Sequence, residues 1–381
     1  MKIFPSFVLL GTVTLITFIT LQTSGNAQQG AQTKVANIEK INDGPYVFID
    51  GDFEITNITK ICENNKLSQK FKWEEQSVAI TDCSGKKTLT NYQISDVTLK
   101  TDIEFNTQHP IAAISDFHGQ YDLMAKILKN NGVIDETGHW SFAKGHLVIT
   151  GDVFDRGDKV TEILWFLFNL EKQAIKQGGR VHLLLGNHET MVLNNDLRYL
   201  HPKYRAVEKI LEQSYSSLYG DNTILGQWLR SKNVLVKIND TLFAHGGFHP
   251  DLVKKELSLE ALNQEFMANL IKPSLPNERT VLGHYLHKSN GPIWYRGYFK
   301  EPLATNEEIN SLLNFYNINH IVVGHTSQTH IKSRYKGRVI AIDSSIKKGE
   351  YGEILLIRNS KMIRGTPEGN KLPIEELLIK K

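Results

Sequence analysis

Five short strings hold residues whose types suit metal and phosphate chemistry: Ser115-Asp116-Phe117-His118-Gly119, Gly151-Asp152-Val153-Phe154-Asp155-Arg156-Gly157, Gly186-Asn187-His188-Glu189, His245-Gly246-Gly247 and Gly324-His325-Thr326. Any one of them is a commonplace loop, but five in this order are a strong signal. Carboxylate, amide oxygen and imidazole together accommodate Mn, Fe or Zn, with no cysteine to impose a soft site. Two divalent ions held roughly 3.5 to 4 Å apart need a carboxylate between them to shield their repulsion, and Asp152 is the candidate bridge. Asp116 and His118 would complete the ligands of one ion, while Asn187, His245 and His325 would hold the other. A hydroxide held between such ions can attack a phosphoryl group in line. His188 is the candidate general acid for the leaving oxygen, with Asp155 paired to its ring. Arg156, and Arg296 in Trp294-Tyr295-Arg296-Gly297, carry planar forks that match phosphate oxygens. Glu189 reads as an orienting group rather than a ligand. His249, His284 and His287 have only proximity to recommend them.

Residues so far apart in sequence converge only if a sheet collects them, as happens at the carboxyl ends of strands in α/β proteins. Apolar runs that read as strands precede most of the strings: Ile111 to Ile114, Leu147 to Thr150, Val181 to Leu185, Leu242 to Ala244 and Ile321 to Val323, with Val339 to Ile342 beyond them. Helical periodicity lies between, over Tyr121 to Lys129, Val160 to Gln177 and Glu307 to Phe315. The Leu164, Leu167, Phe168 and Leu170 stripe reads as core contact. The chain thus reads as an α/β catalytic domain over 109–365, interrupted by a helical insertion at 190–233 and followed by a tail at 366–381. Ahead of it, short alternating runs at Tyr46 to Ile49, Phe71 to Trp73, Ser77 to Ile80 and Val97 to Lys100, separated by turn signals, make 28–108 a small β-rich unit. No catalytic motif lies in that unit, which leaves it to cover the cleft, bind a partner or stabilise the fold.

The first 27 residues read as a signal peptide: Lys2, an apolar run from Ile3 to Thr20, and small residues at Gly25 and Ala27. A retained membrane anchor is the alternative. Export to the periplasm or beyond permits Cys62 and Cys83 to pair, the other reading being two free thiols. Forty-four Lys and Arg against 41 Asp and Glu leave no concentrated basic charge, so nucleic acid is not indicated as a partner. No stable membrane partner is expected once the signal is removed. No internal repeat is present.

The five strings resemble the calcineurin-like metallophosphoesterases, specifically the phosphoprotein phosphatases. Asp196-Leu197-Arg198-Tyr199, Pro292 to Tyr298 and Gly324-His325-Thr326-Ser327-Gln328 are similar to the Shewanella-like protein phosphatase branch, which includes enzymes active on phosphotyrosine. The resemblance spans about Ile111 to Ser345. It implies a layered β-sheet sandwich flanked by helices, two divalent metal ions, and the roles given above for Asp116, His118, Asp152, Asn187, His245, His325, His188, Asp155, Arg156 and Arg296. Gly-His-Thr, and Ala341-Ile342-Asp343-Ser344-Ser345 further on, depart from eukaryotic serine/threonine phosphatases. The expected activity is therefore a phosphomonoesterase on phosphorylated protein or peptide, with phosphotyrosine favoured. A nucleotide or dinucleoside polyphosphate hydrolase is the alternative enzyme, since fold does not set substrate. A metal-dependent phosphate-binding protein without turnover is the alternative outside catalysis.

Overall fold

Residues 40–71, 78–93, 102–272 and 278–377 are described in a computed structural model, all within one compact unit. The expected signal peptide and the run Val97 to Lys100 lie outside them, as do Lys72 and Trp73. The β-rich segment forms an antiparallel sheet of β1 (Asp43–Ile49), β2 (Ile55–Cys62) and β3 (Asn65–Lys70), and a hairpin of β4 (Val78–Thr81) and β5 (Thr88–Tyr92). Cys62 and Cys83 are joined in a disulfide. This sheet has one apolar face and must lay it on something else. Tyr46, Val47, Ile49, Ile55 and Ile61 are buried.

β6 (Glu104–Phe105) leads into the main body, where β7 (Ile111–Ile114), β8 (His146–Ile149) and β9 (Arg180–Leu183) run parallel. Parallel neighbours need crossover connections, which are supplied here by α1 (Tyr121–Asn130) and α2 (Val160–Lys176). α3 (Asn187–Leu193), α4 (Pro202–Leu211) and α5 (Ile224–Arg230), with a 3-10 helix at Tyr215–Tyr219, supply the helices of 190–233. β10 (Leu235–Ile238) and β11 (Thr241–Ala244) follow as a hairpin, then α6 (Asp251–Lys254), α7 (Leu259–Ala268), α8 (Val281–Leu286) and α9 (Asn306–Tyr316). Helix α9 begins at a capping box of Thr305 and Glu308 and ends at Asn317 in the left-handed region, the start and stop signals of its sequence. β12 (His320–Val323), β13 (Lys332–Arg334), β14 (Val339–Ala341), β15 (Ile354–Arg358), β16 (Lys361–Gly365), β17 (Lys371–Leu372) and β18 (Glu375–Glu376) complete the chain. The expected tail is thus partly strand: β17 and β18 add edges to two different sheets.

Those sheets have the orders β17-β16-β15-β7-β8-β9 and β18-β13-β14-β12-β11-β10-β6. The period of two along each strand sorts the side chains between two layers. Ile111, Ala113, Val148, Phe243, Val322, Ile340 and Leu355 fill the space between the sheets. Ala112, Ile114, Leu147, Ile149, Leu242, Ala244 and Ile321 face the other way, into the core that holds Leu164, Leu167, Phe168 and Leu170 of α2. The result is a β-sandwich with helices outside, and the α2 stripe is core. The β1 sheet lies on that helical layer. Trp165 of α2 donates its indole N–H to the Pro45 carbonyl at 2.9 Å, and Lys203 of α4 meets Asp43 at 2.9 Å.

Candidate active site

Strands β7, β8, β9, β11 and β12 each run at their carboxyl ends into one of the five strings, so the turns after them form one surface. Those turns are strained. Asp116, His118, Asp152, Asp155, Arg156 and His325 all have φ between 46° and 69°, a conformation that costs a non-glycine residue about 1–2 kcal/mol. Hydrogen bonds hold it in place: Asp116 N–H donates to the Gly151 carbonyl at 3.1 Å, His118 N–H to Asp152 at 3.0 Å, and His325 N–H to the Asp116 carboxylate at 3.0 Å. Glu189 accepts from the N–H groups of Gly186, Asp152 and Val153 at 2.7, 2.8 and 2.7 Å, and so orients the Asp152 turn, as expected. Gly151 must be glycine, with φ +97° and a Cβ that would stand 2.4 Å from the Gly186 nitrogen.

The turns bring all six expected ligands together in the interior. Asp152 Oδ2 lies 3.5 Å from His118 Nε2 and 3.3 Å from His245 Nε2. Asn187 Oδ1 and His325 Nδ1 stand 2.9 and 3.1 Å from His245 Nε2, and Asp116 Oδ1 is 3.9 Å from His118 Nε2. Two groups have ligand atoms close enough for one ion each, His118 with Asp152 and His188, and Asp152 with His245 and His325. Asp152 belongs to both.

The protonation pattern tests whether these residues fit metal. His118 Nδ1 and His245 Nδ1 lie 2.7 Å from the Phe154 and Thr150 carbonyls, which can only accept, so each Nδ1 carries the hydrogen. Each Nε2 then presents a lone pair to Asp152, and at His245 also to the Asn187 oxygen. Acceptors facing acceptors in a buried site call for a cation between them. Without one, a proton takes the place: burial disfavours a charged His245, but Asp152, with Asp116 and Glu189, overrides this and pushes the ring up to about 9. Burial and the neighbouring Asp343 push Asp116 well above the usual carboxylate range. The donor set therefore fits divalent ions.

A cleft of about 290 Å³ opens over this cluster. His188 stands on its wall, its Nδ1 2.5 Å from Asp155 Oδ2, so the dyad of the sequence is assembled. Arg156 reaches to 3.4 Å from His188 Nε2 and lies over the Tyr199 ring, 5.1 Å from its centre. Arg296 enters from the opposite string, donating to the His325 carbonyl at 2.9 Å. Burial works against its charge, and Asp116, Asp152 and Asp343 support it. Tyr199, Trp294, Lys300, Ser327 and Lys347 also line the cleft. Of these, Tyr199, Trp294 and Ser327 lie in strings the sequence singles out, whereas nothing in the local sequence marks the two lysines. Asp343, in the string that departs from the eukaryotic pattern, is fully buried, accepts from Ser327 at 2.6 Å and acts on Asp116. No residue of β1 to β5 lines the cleft.

Residues 109–328 match the model of the calcineurin-like phosphoesterase family. The chain belongs to that family. This phosphoesterase is 41% identical to a cold-active protein-tyrosine phosphatase of a psychrophilic Shewanella species, with a TM-score of 0.80 over 87% of this chain and 98% of that one. It is also 31% identical to Shewanella-like protein phosphatase 1 of Plasmodium berghei over 57% of this chain and 61% of the relative. Shewanella-like protein phosphatase 2 of Arabidopsis thaliana is 24% identical over 73% and 84%. The phosphoesterase is thus a metal-dependent phosphatase whose relatives are Shewanella-like protein phosphatases.

Proposed function

We propose that this phosphatase hydrolyses phosphotyrosine in proteins or peptides. The observation that carries the reading is the cleft wall: two cationic forks, Arg156 and Arg296, stand with two aromatic rings, Tyr199 and Trp294, around the metal-ligand cluster. A phosphotyrosine offers a phosphate to the forks and a ring to the aromatic wall, where offset or edge contacts add about 0.5–1.5 kcal/mol beyond area burial. The 41% identity to a protein-tyrosine phosphatase supports the same substrate class.

In this reading Asp116, His118 and Asp152 hold one divalent ion and Asp152, Asn187, His245 and His325 the other. Such ions supply Lewis acidity toward phosphoryl oxygens and toward water. Arg156 and Arg296 bind the phosphate by charge-assisted bonds and fix the ester for in-line displacement. Asp155 accepts from His188 Nδ1–H and fixes the ring, so that a proton carried at Nε2 can pass to the departing phenoxide as the P–O bond breaks. The Cys62–Cys83 disulfide supports an exported enzyme.

The test is kcat/KM of metal-reconstituted protein on one peptide phosphorylated on tyrosine, threonine or serine at the same site, with ATP and a dinucleoside polyphosphate alongside. A phosphotyrosine preference of tenfold or more, about 1.4 kcal/mol of differential transition-state stabilisation, is expected. Rapid nucleotide cleavage with negligible peptide turnover would overturn the substrate and keep the metal chemistry.

A further inference from the structure

Beside the catalytic cleft, sharing Asn187 and Trp294 with it, lies a second pocket of about 450 Å³. Four cationic side chains line it: Arg198, Lys272, Arg279 and Lys288. The chain as a whole is nearly balanced, at 44 basic against 41 acidic residues, so this concentration is local. One carboxylate, Asp196, shares the lining, and both its oxygens are engaged by Arg198 at 2.8 and 2.7 Å. Lys272 pairs with Glu278 at 3.0 Å. Arg279 and Lys288 have no carboxylate within ion-pair distance among the described residues.

Arg279 separates this pocket from an ordinary solvated face. Its Nε–H donates to the Asn269 carbonyl at 2.7 Å and its Nη2 to Leu270 at 3.2 Å, so the guanidinium is fixed just ahead of α8. Burial disfavours its charge, and Glu278 gives it only partial support. A half-buried, immobilised cation without a paired anion is a preorganised anion site, because its ordering and part of its desolvation precede binding. The ring of His287 adds no charge: burial holds it neutral, pushed down to about 4, and its Nε2 has no hydrogen-bond partner. The pocket is concave rather than an extended basic stripe, which suits a single acidic side chain better than a nucleic-acid backbone.

We propose that this pocket receives an acidic side chain of the substrate, placed two or three residues from the phosphorylated one, so that the enzyme prefers acidic phosphopeptides. The proposal rests on the phosphoprotein reading given above. An extended peptide advances roughly 3.3 Å per residue, so a phosphotyrosine in the cleft carries its neighbours along Trp294 into the adjoining pocket.

The experiment uses the metal-reconstituted full chain at low salt and two phosphotyrosine peptides that differ only in Glu or Gln at the second and third positions on either side. Para-nitrophenyl phosphate is the control without flanks. Wild type is expected to favour the Glu peptide by about fivefold in kcat/KM, carried by KM, the size expected of one or two half-exposed charge pairs, and to lose that preference as salt rises. In Arg279→Gln the Glu-to-Gln ratio falls to about one or two. In Lys288→Glu, at an exposed position that folding tolerates, it falls below one. The ratio is taken within each variant, so a general loss of activity cancels, and should Arg279→Gln fail to fold, Lys288→Glu decides. Equal turnover of the two peptides by wild type, or a ratio unmoved in Lys288→Glu, overturns the subsite alone. Hydrolysis of the aryl phosphate with neither peptide cleaved overturns the phosphoprotein reading, and the subsite with it.

Discussion

His188 shows what one side chain contributes. Its Nδ1 is tied to Asp155 and its Nε2 faces the cleft, so the proton it can give is needed in proportion to the basicity of the leaving group. A phenol, with pKa about 10, leaves as a far weaker base than an alkyl alkoxide. His188→Asn is therefore expected to slow alkyl phosphates by about 10²–10⁴-fold and aryl phosphates by clearly less. Steady-state rates on a matched pair decide it, and equal losses would argue against proton donation. Asp152 contributes through charge: it lies within 4 Å of His118, His188 and His245. Asp152→Asn should lose turnover and bound metal together, checked by elemental analysis beside the rate. Metal removal should also expose the proton that stands in for the ion. The unpaired His ring titrates near 6.5 and folded, metal-free His245 near 9. Its stabilisation is thus complete below 6.5 and is lost as pH rises through 9. Denaturation midpoints of the metal-free protein should fall over that window, and those of the loaded protein should fall less.

The turns after β7, β8 and β12 place six polar side chains, and they do so in a backbone conformation that L-residues avoid. Such strain persists where surrounding hydrogen bonds over-determine it, and functional sites are where it gathers. Arg156, at φ 67° and exposed, isolates the effect. Replacing it with glycine relieves the left-handed conformation, at some entropic cost in the unfolded chain. Arg156→Gly is expected to raise stability slightly, by up to about 1 kcal/mol, while lowering kcat/KM at least tenfold through the lost phosphate contact. Thermal melts and kinetics on the same sample read both, and a destabilised variant would show that Arg156 packs on Tyr199 more than it strains the turn. None of this was legible in Asp-Val-Phe-Asp-Arg-Gly as a string. The residues were recognisable, and their φ values were not, because the conformation is imposed by Gly186, Glu189 and the neighbouring turns.

At the scale of the molecule, the β1 sheet is a structural layer on the outer helices, and its disulfide closes a separation of 21 residues. Chain entropy puts the loss on removing that link at about 3 kcal/mol. Cys62→Ser with Cys83→Ser should lower the denaturation midpoint accordingly and leave kcat/KM on an aryl phosphate within about twofold, since no residue of β1 to β5 lines the cleft; a large kinetic loss would tie the sheet to catalysis. The strands that end at the five strings, the helices α1, α2 and α9, and the residue types gathered in the cleft were legible in the sequence, because each depends on local order: a buried parallel strand is a short apolar run, an amphipathic helix repeats at 3.6, and ligand types are fixed by their chemistry. β2, β3, β5, β6, β10, β13 and the strands from β15 onward are not among the expected strands: β6, β13, β17 and β18 are only two or three residues long, and every residue of β3 is exposed, so no apolar run marks them. The places of Tyr199, Lys300, Lys347 and Asp343 at the site are not legible in their strings, since only the convergence of separate turns makes a tyrosine a wall, a lysine a rim or an aspartate a neighbour of Asp116. The sequence by itself determined which atoms could hold metal and phosphate, since that is a property of side-chain chemistry. The tertiary structure alone decided which lone pairs face one another, which cations lack a partner, and which surfaces adjoin the cleft, since these are distances between residues that the chain brings together only on folding.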